Sequence, residues 1–137
     1  MSRQRPHRPA LLIVDHGTRI SAANDRLAAF AREIAGARPD WLVEHAHMEL
    51  AEPGFETAID VLVDRGASEI LIHLHFLGDG YHVRETIPGL VARARERHHA
   101  IPIETTAPLG DDPRLVEIVL GRMKLQSEER ERQRSKA

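Results

Sequence analysis

Unbroken apolar runs alternate along this chain with segments in which apolar residues recur every three or four positions. Residues 10–14 read Ala-Leu-Leu-Ile-Val without polar interruption, which predicts a strand covered on both faces. Over residues 21–34, Leu27, Phe30, Ala31 and Ile34 keep to one side of a helix, with Ser21 as the expected N-cap and Gly36 and Pro39 closing it. Residues 41–50 predict a second strand and Glu52-Pro53-Gly54 a turn. A second helix over 55–64 groups Ala58, Ile59, Leu62 and Val63, with Gly66 as its C-cap. Residues 69–77 form the third strongly apolar run and 78–80 a loop. Ile87-Pro88-Gly89 then lead into a helix ending near Arg97. A fourth strand over 101–106, a loop over 108–113 and a helix over 114–125 complete the pattern.

Four strand–helix units joined by short links predict an α/β fold: a three-layer sandwich with a four-stranded parallel sheet. The division expected is a flexible N-terminal arm over 1–9, one domain over 10–125 and a charged tail over 126–137. Ala137 is the tail's one apolar residue, so a disordered or frayed helical extension is expected there.

Composition narrows the field. A chain of 137 residues, 42% hydrophobic and 29% charged, can bury a single core. A net charge of −2 gives no bias toward nucleic acid or anionic membranes. Without cysteine, disulfides and thiolate metal sites are excluded and nitrogen and oxygen donors remain. No apolar run approaches the roughly 20 residues of a membrane span, and the basic N-terminus lacks the apolar core of a secretory signal. The expectation is a cytoplasmic protein with no nucleic-acid or membrane partner.

The histidines change the picture. There are nine; His7 lies in the arm, and His98 and His99 close a basic stretch. His16, in Val14-Asp15-His16-Gly17-Thr18-Arg19, and His82, in Gly80-Tyr81-His82-Val83-Arg84, each fall where a strand pattern stops and a helix pattern begins. In parallel sheets ligands collect beyond the carboxyl ends of the strands, and Glu49 falls on the same edge. Alone, each would be an ordinary loop or strand-end residue. Together they offer two nitrogens and one oxygen to divalent cobalt, nickel, iron or zinc, with coordination positions left open. His45 and His47 share a face of strand two with Glu49, and His73 and His75 share a face of strand three. A strip conducting metal and a hydrogen-bonded polar layer under a helix or at a subunit contact are the two readings; the polar layer is favoured. A phosphate loop built on Gly17-Thr18 is a weaker third reading, since neither a glycine-rich run nor a P-loop lysine is present.

Four motifs in order give the chain a family resemblance. Asp15-His16-Gly17-Thr18-Arg19, Glu49-Leu50-Ala51-Glu52-Pro53, Gly80-Tyr81-His82 followed by Ile87-Pro88, and Ala107-Pro108-Leu109-Gly110-Asp111-Asp112-Pro113 resemble the signature segments of small sirohydrochlorin chelatases of the CbiX and SirB type. The resemblance spans about residues 11–122. It implies a lyase that inserts a divalent metal (Co2+ or Fe2+, or Ni2+) into a tetrapyrrole, in cobalamin or sirohaem biosynthesis, with neither ATP nor an organic cofactor. It implies that His16 and His82 ligate the metal, with Glu49 as third ligand or proton acceptor. Neutral imidazole suits that exchange, because metal and proton compete for one lone pair. Arg19 and Arg84, with Gly17, Thr18 and the helix N-termini after Ser21 and Gly54, are expected to receive the substrate's carboxylates. A homodimer is expected, because larger relatives place their cleft between two lobes. The alternative is a carrier of the same fold that binds metal or tetrapyrrole without turnover. Asp15 replaces the glycine usual before the first histidine; it is expected either to hydrogen-bond His16 and raise its basicity or to crowd a tetrapyrrole approaching the backbone there. Thr86 stands where aspartate commonly precedes isoleucine-proline.

Overall fold

The computed structural model describes residues 6–78 and 80–136, with only the backbone of His82. Strands β1 (Pro9–Asp15), β2 (Leu42–His47), β3 (Glu69–Leu74) and β4 (Ile103–Thr105) alternate with helices α1 (Ser21–Ala37), α2 (Phe55–Asp64), α3 (Tyr81–Arg97) and α4 (Arg114–Ser135). The sheet is parallel with order β2-β1-β3-β4. The chain leaves β1 toward one edge and β3 toward the other, so the topological switch lies between them. Loops that open a ligand crevice in such sheets follow those two strands.

Strand parity divides the core. Ala10, Leu12 and Val14 face α2 and α3 together with Ile70, Ile72 and Ile103, and Ile59 and Leu62 of α2 pack onto them. Leu12, Ile59, Leu62, Ile70 and Ile72 are each at most 2% exposed, and each buried side chain contributes about 1.5–3 kcal/mol. On the other face Ile13, with Leu11 and Val43, packs against Leu27, Phe30, Ala31 and Ile34 of α1. These are three layers: α1, the sheet, then α2 and α3.

Several boundaries differ from the sequence reading. Strands β2, β3 and β4 are shorter than the spans read as strands: β2 ends at His47 and β3 at Leu74, where the chain turns into loops, and β4 covers only Ile103–Thr105. Ser21 is the first residue of α1 and not its cap; Ile20 holds the cap position without a side-chain bond. The polar capping is displaced, with Asn24 Oδ1 accepting from Thr18 N–H (3.1 Å) and Asn24 Nδ2 donating to the Thr18 carbonyl (2.6 Å). Gly36 lies inside α1. Helix α3 begins at Tyr81 and carries Pro88 within it, although an interior proline costs about 3 kcal/mol. Val83, Ile87, Val91 and Ala94 outweigh that cost by burying one continuous stripe. Helix α4 runs on to Ser135 through the stretch read as a tail. Glu, Gln and Arg are good helix formers, and Arg132 pairs with Glu129 at 2.9 Å.

Candidate functional site

Two adjacent loops carry His16 and Glu49. The backbone locks them together: Met48 N–H donates to the Asp15 carbonyl (2.9 Å) and Glu49 N–H to the His16 carbonyl (3.1 Å). Gly17 sits between them at φ +84°, where a Cβ would collide with the Glu49 carbonyl oxygen and lie 2.9 Å from His47 Cβ. Both the dihedral and the close approach demand glycine. Immediately after Glu49, Leu50 adopts φ 67°, a costly conformation for a branched side chain. The two loops are therefore held in one arrangement. His16 and Glu49 are exposed, and the His16 ring lies against Phe76 with centroids 5.0 Å apart.

The third strand delivers a further loop to the same edge of the sheet. His75 N–H donates to the Val14 carbonyl (2.7 Å) and continues the β1–β3 pairing. The chain then passes Phe76 and Leu77 to reach Gly80, the N-cap of α3. His82 thus belongs to the first turn of a helix and not to the preceding loop; its side chain lies outside the described residues. The 3₁₀ turn Leu109–Asp111 buttresses this segment: Gly110 N–H donates to the Phe76 carbonyl (3.3 Å), and a Cβ on Gly110 would meet the Leu77 carbonyl. That contact gives the proline-leucine-glycine motif a physical reason. Arg19 and Arg84 are exposed at this same edge. Thr18 is bound to the start of α1, its hydroxyl accepting from Ile20 N–H at 3.2 Å.

Asp15 does not act on its neighbour as expected. Adjacent strand residues point to opposite faces, so its carboxylate lies on the α1 face while the His16 ring rests on Phe76. Asp15 Oδ1 instead accepts from His47 Nδ1 (2.6 Å) and from Gly17 N–H (3.0 Å). Four further histidines form two pairs separated by β1. His45 and His47 lie on β2, with ring centroids 5.7 Å apart. His73 Nε2 and His75 Nδ1 share a hydrogen bond of 3.1 Å, and the His75 ring rests 4.7 Å from that of Phe30. Burial is the main cause that lowers the pKa of His45, His73 and His75, so neutral imidazole is favoured at all three. A cavity of about 500 Å³, lined by Asp15, Arg26, Phe30, Glu33 and His75 among others, opens beside the second pair.

Among the described residues no three His, Cys, Asp or Glu side chains form a group able to hold a metal ion. The backbone brings His16 and Glu49 together, and the switch point brings the start of α3 to the same edge. No helix among the described residues is long and apolar enough to cross a membrane.

This is an α/β protein whose histidine- and carboxylate-bearing loops sit at the topological switch of a four-stranded parallel sheet. The chain belongs to the CbiX family, whose model matches residues 10–126. It is 36% identical to the chloroplastic sirohydrochlorin ferrochelatase of Arabidopsis thaliana over 82% of this chain and 50% of that one. It is 31% identical to the sirohydrochlorin cobaltochelatase of Sulfolobus acidocaldarius over 80% of this chain and 85% of that one. Among solved structures, it superposes with a TM-score of 0.73 on the cobalt complex of the sirohydrochlorin chelatase SirB from Bacillus subtilis subspecies spizizenii. That match has 35% identity and covers 85% of this chain and 50% of the other. The chain therefore spans about half the length of several curated relatives that it matches.

Proposed function

We propose that this protein is a sirohydrochlorin chelatase that inserts a divalent metal, Co2+ or Fe2+, into the tetrapyrrole without ATP or an organic cofactor, working in the cytoplasm as a homodimer. The observation that carries this reading is the similarity, over four-fifths of the chain, both to a ferrochelatase and to a cobaltochelatase of sirohydrochlorin. The position of His16, Glu49 and the first turn of α3 at one edge of the sheet supports it.

In this reading His16 and His82 present neutral imidazole nitrogens to the incoming metal and Glu49 supplies an oxygen. The metal ion is a substrate. As it enters the macrocycle, two pyrrole N–H protons leave; the vacated imidazoles and the Glu49 carboxylate can accept them before water does. Arg19 and Arg84 meet the carboxylates of the tetrapyrrole; the N–H groups of Gly17 and Thr18, expected from sequence to share that task, are instead bonded to Asp15 and Asn24.

Dimerisation is supported by α4. Val116, Val119, Leu120 and Met123 fall on one helical face, and each is at least 56% exposed. A contiguous apolar stripe of this kind marks an interaction surface.

The test mixes the protein anaerobically with sirohydrochlorin and Co2+ or Fe2+ and follows the absorbance change, beside a His16→Ala/His82→Ala double variant. Insertion faster than the protein-free reaction, and lost in the variant, is the expected result. Stoichiometric metal retention without turnover would identify the carrier instead.

A further inference from the structure

We infer that Asp15 is a positioning residue: its carboxylate, through His47, clips the loop of His16 to the loop of Glu49. Asp15 ends β1 and His47 ends β2, and they are register partners in the parallel ladder. One carboxylate oxygen takes two donors. His47 Nδ1 belongs to the strand that continues into Glu49, and the Gly17 N–H belongs to the loop that carries His16. His47 is 1% exposed, so its ring is fixed by packing and the 2.6 Å bond holds Asp15 in a defined place. Past the strands, two backbone bonds join the segments, Met48 to Asp15 and Glu49 to His16. The Asp15 oxygen adds a further tie, made by a side chain.

The chemistry suits the task. A carboxylate oxygen accepts more than one N–H, and such bonds are stronger than those between neutral groups. The glycine that the family resemblance places at this position has no side chain to offer. The clip also fits its surroundings, because Gly17 lies too close to Glu49 to tolerate a Cβ. A loop packed this tightly can shift only by moving His16 and Glu49 together. The inference rests on the chelatase reading for its consequence, the relative placement of the two candidate ligands, and on geometry alone for the clip.

Two readouts test it on the full chain. In metal-free protein, amide hydrogen exchange followed by NMR should show Gly17 and Glu49 protected in the natural sequence. In Asp15→Ala they should exchange faster while Leu12 and Ile72 keep their protection. In Asp15→Asn, which retains an oxygen acceptor, protection should return. In Co2+ titrations, Asp15→Ala should bind about 10–100-fold more weakly, the usual cost of removing a group that orients metal ligands. Its visible cobalt spectrum should change, and Asp15→Asn should stay near the natural chain. Unchanged exchange at Gly17 and Glu49 in Asp15→Ala would overturn the inference. So would loss of protection across the whole sheet in both variants, which would make Asp15 a fold-stabilising residue only. A natural chain that shows the clip by exchange yet inserts no metal would remove the chelatase reading and leave the clip standing.

Discussion

Replacing glycine by alanine should have opposite effects at Gly17 and Gly36. At Gly17 the dihedral of +84° places alanine in the left-handed region, at a cost of about 1–2 kcal/mol. The new Cβ also meets the backbone oxygen of Glu49, which cannot swing aside as a side-chain tip would; overpacking of this kind costs about 1–3 kcal/mol. Alanine lowers the entropy of the unfolded chain and returns about 0.4–1 kcal/mol. The net loss is about 2–4 kcal/mol, or about 6–20 °C in Tm for a domain of this size. Gly36 lies in the last turn of α1, and a Cβ there would have no neighbour within 4 Å, so alanine should stabilise by about 0.5 kcal/mol. Thermal melts followed by circular dichroism read both. The proposed metal insertion, measured below the lower melting point, should fall about a hundredfold for Gly17→Ala, since ångström-scale displacements carry penalties of that order. A Gly17→Ala protein that melts with the natural chain would refute the argument, as would a Gly36→Ala protein that falls as far as Gly17→Ala.

Other consequences follow from the same structure. Ile59→Ala, at a site 1% exposed in the core between α2 and the sheet, should cost about 2–5 kcal/mol, read as a lower urea midpoint with an unchanged slope. Burial lowers the folded-state pKa of His73 and His75 below 6.5, so the unfolded chain binds more protons between those values. Stability should hold above about pH 6.5 and decline as pH falls toward the folded-state values. The neighbouring Asp15 partly offsets the shift at His75. A His73→Leu/His75→Leu variant should show a flatter dependence of Tm on pH between about 7 and 5; an unaltered slope would mean that other groups carry it. On α4, Leu120→Asp with Met123→Asp should convert the proposed dimer to monomer in light scattering without lowering the Tm of the core. A dimer that survives both changes would place the interface elsewhere.

The parts of this molecule legible in sequence are those governed by local period. Residues 10–14 read as a buried strand because no polar residue interrupts them, and Phe55–Asp64 reads as a helix from its apolar spacing. Strand order is not legible. It depends on which edges pair, and it decides that β1 separates the histidines of β2 from those of β3. Helix α3 starts earlier than local rules predict for a physical reason: Pro88 signals a start, while the buried stripe from Val83 to Ala94 depends on a partner sheet. The length of α4 is hidden because nothing apolar follows Leu125 within it, where propensity and ion pairing suffice.

Asp15 is the instructive case, because the signal is present in the sequence. Adjacency suggests a bond to His16, but within a strand adjacency means opposite faces. Parity alone sends Asp15 to the side of Leu11 and Ile13, and His16 to the side of Leu12 and Val14. The same parity puts His45 and His47 on one face of β2. An acceptor ending one strand and a donor ending the next are matched only once the two strands are known to be neighbours in register. The sheet order supplies that step, and with it Asp15 changes from an obstruction beside His16 into the group that ties His47 to the His16 loop. A carboxylate at this position therefore belongs with a hydrogen-bonding residue at the end of β2. Replacing Asp15 by glycine in this chain should leave His47 buried without its partner, a cost of about 1–3 kcal/mol, whereas Asp15→Gly combined with His47→Phe should recover most of the lost stability. Equal stability of the single and double variants would show that the two side chains are not coupled.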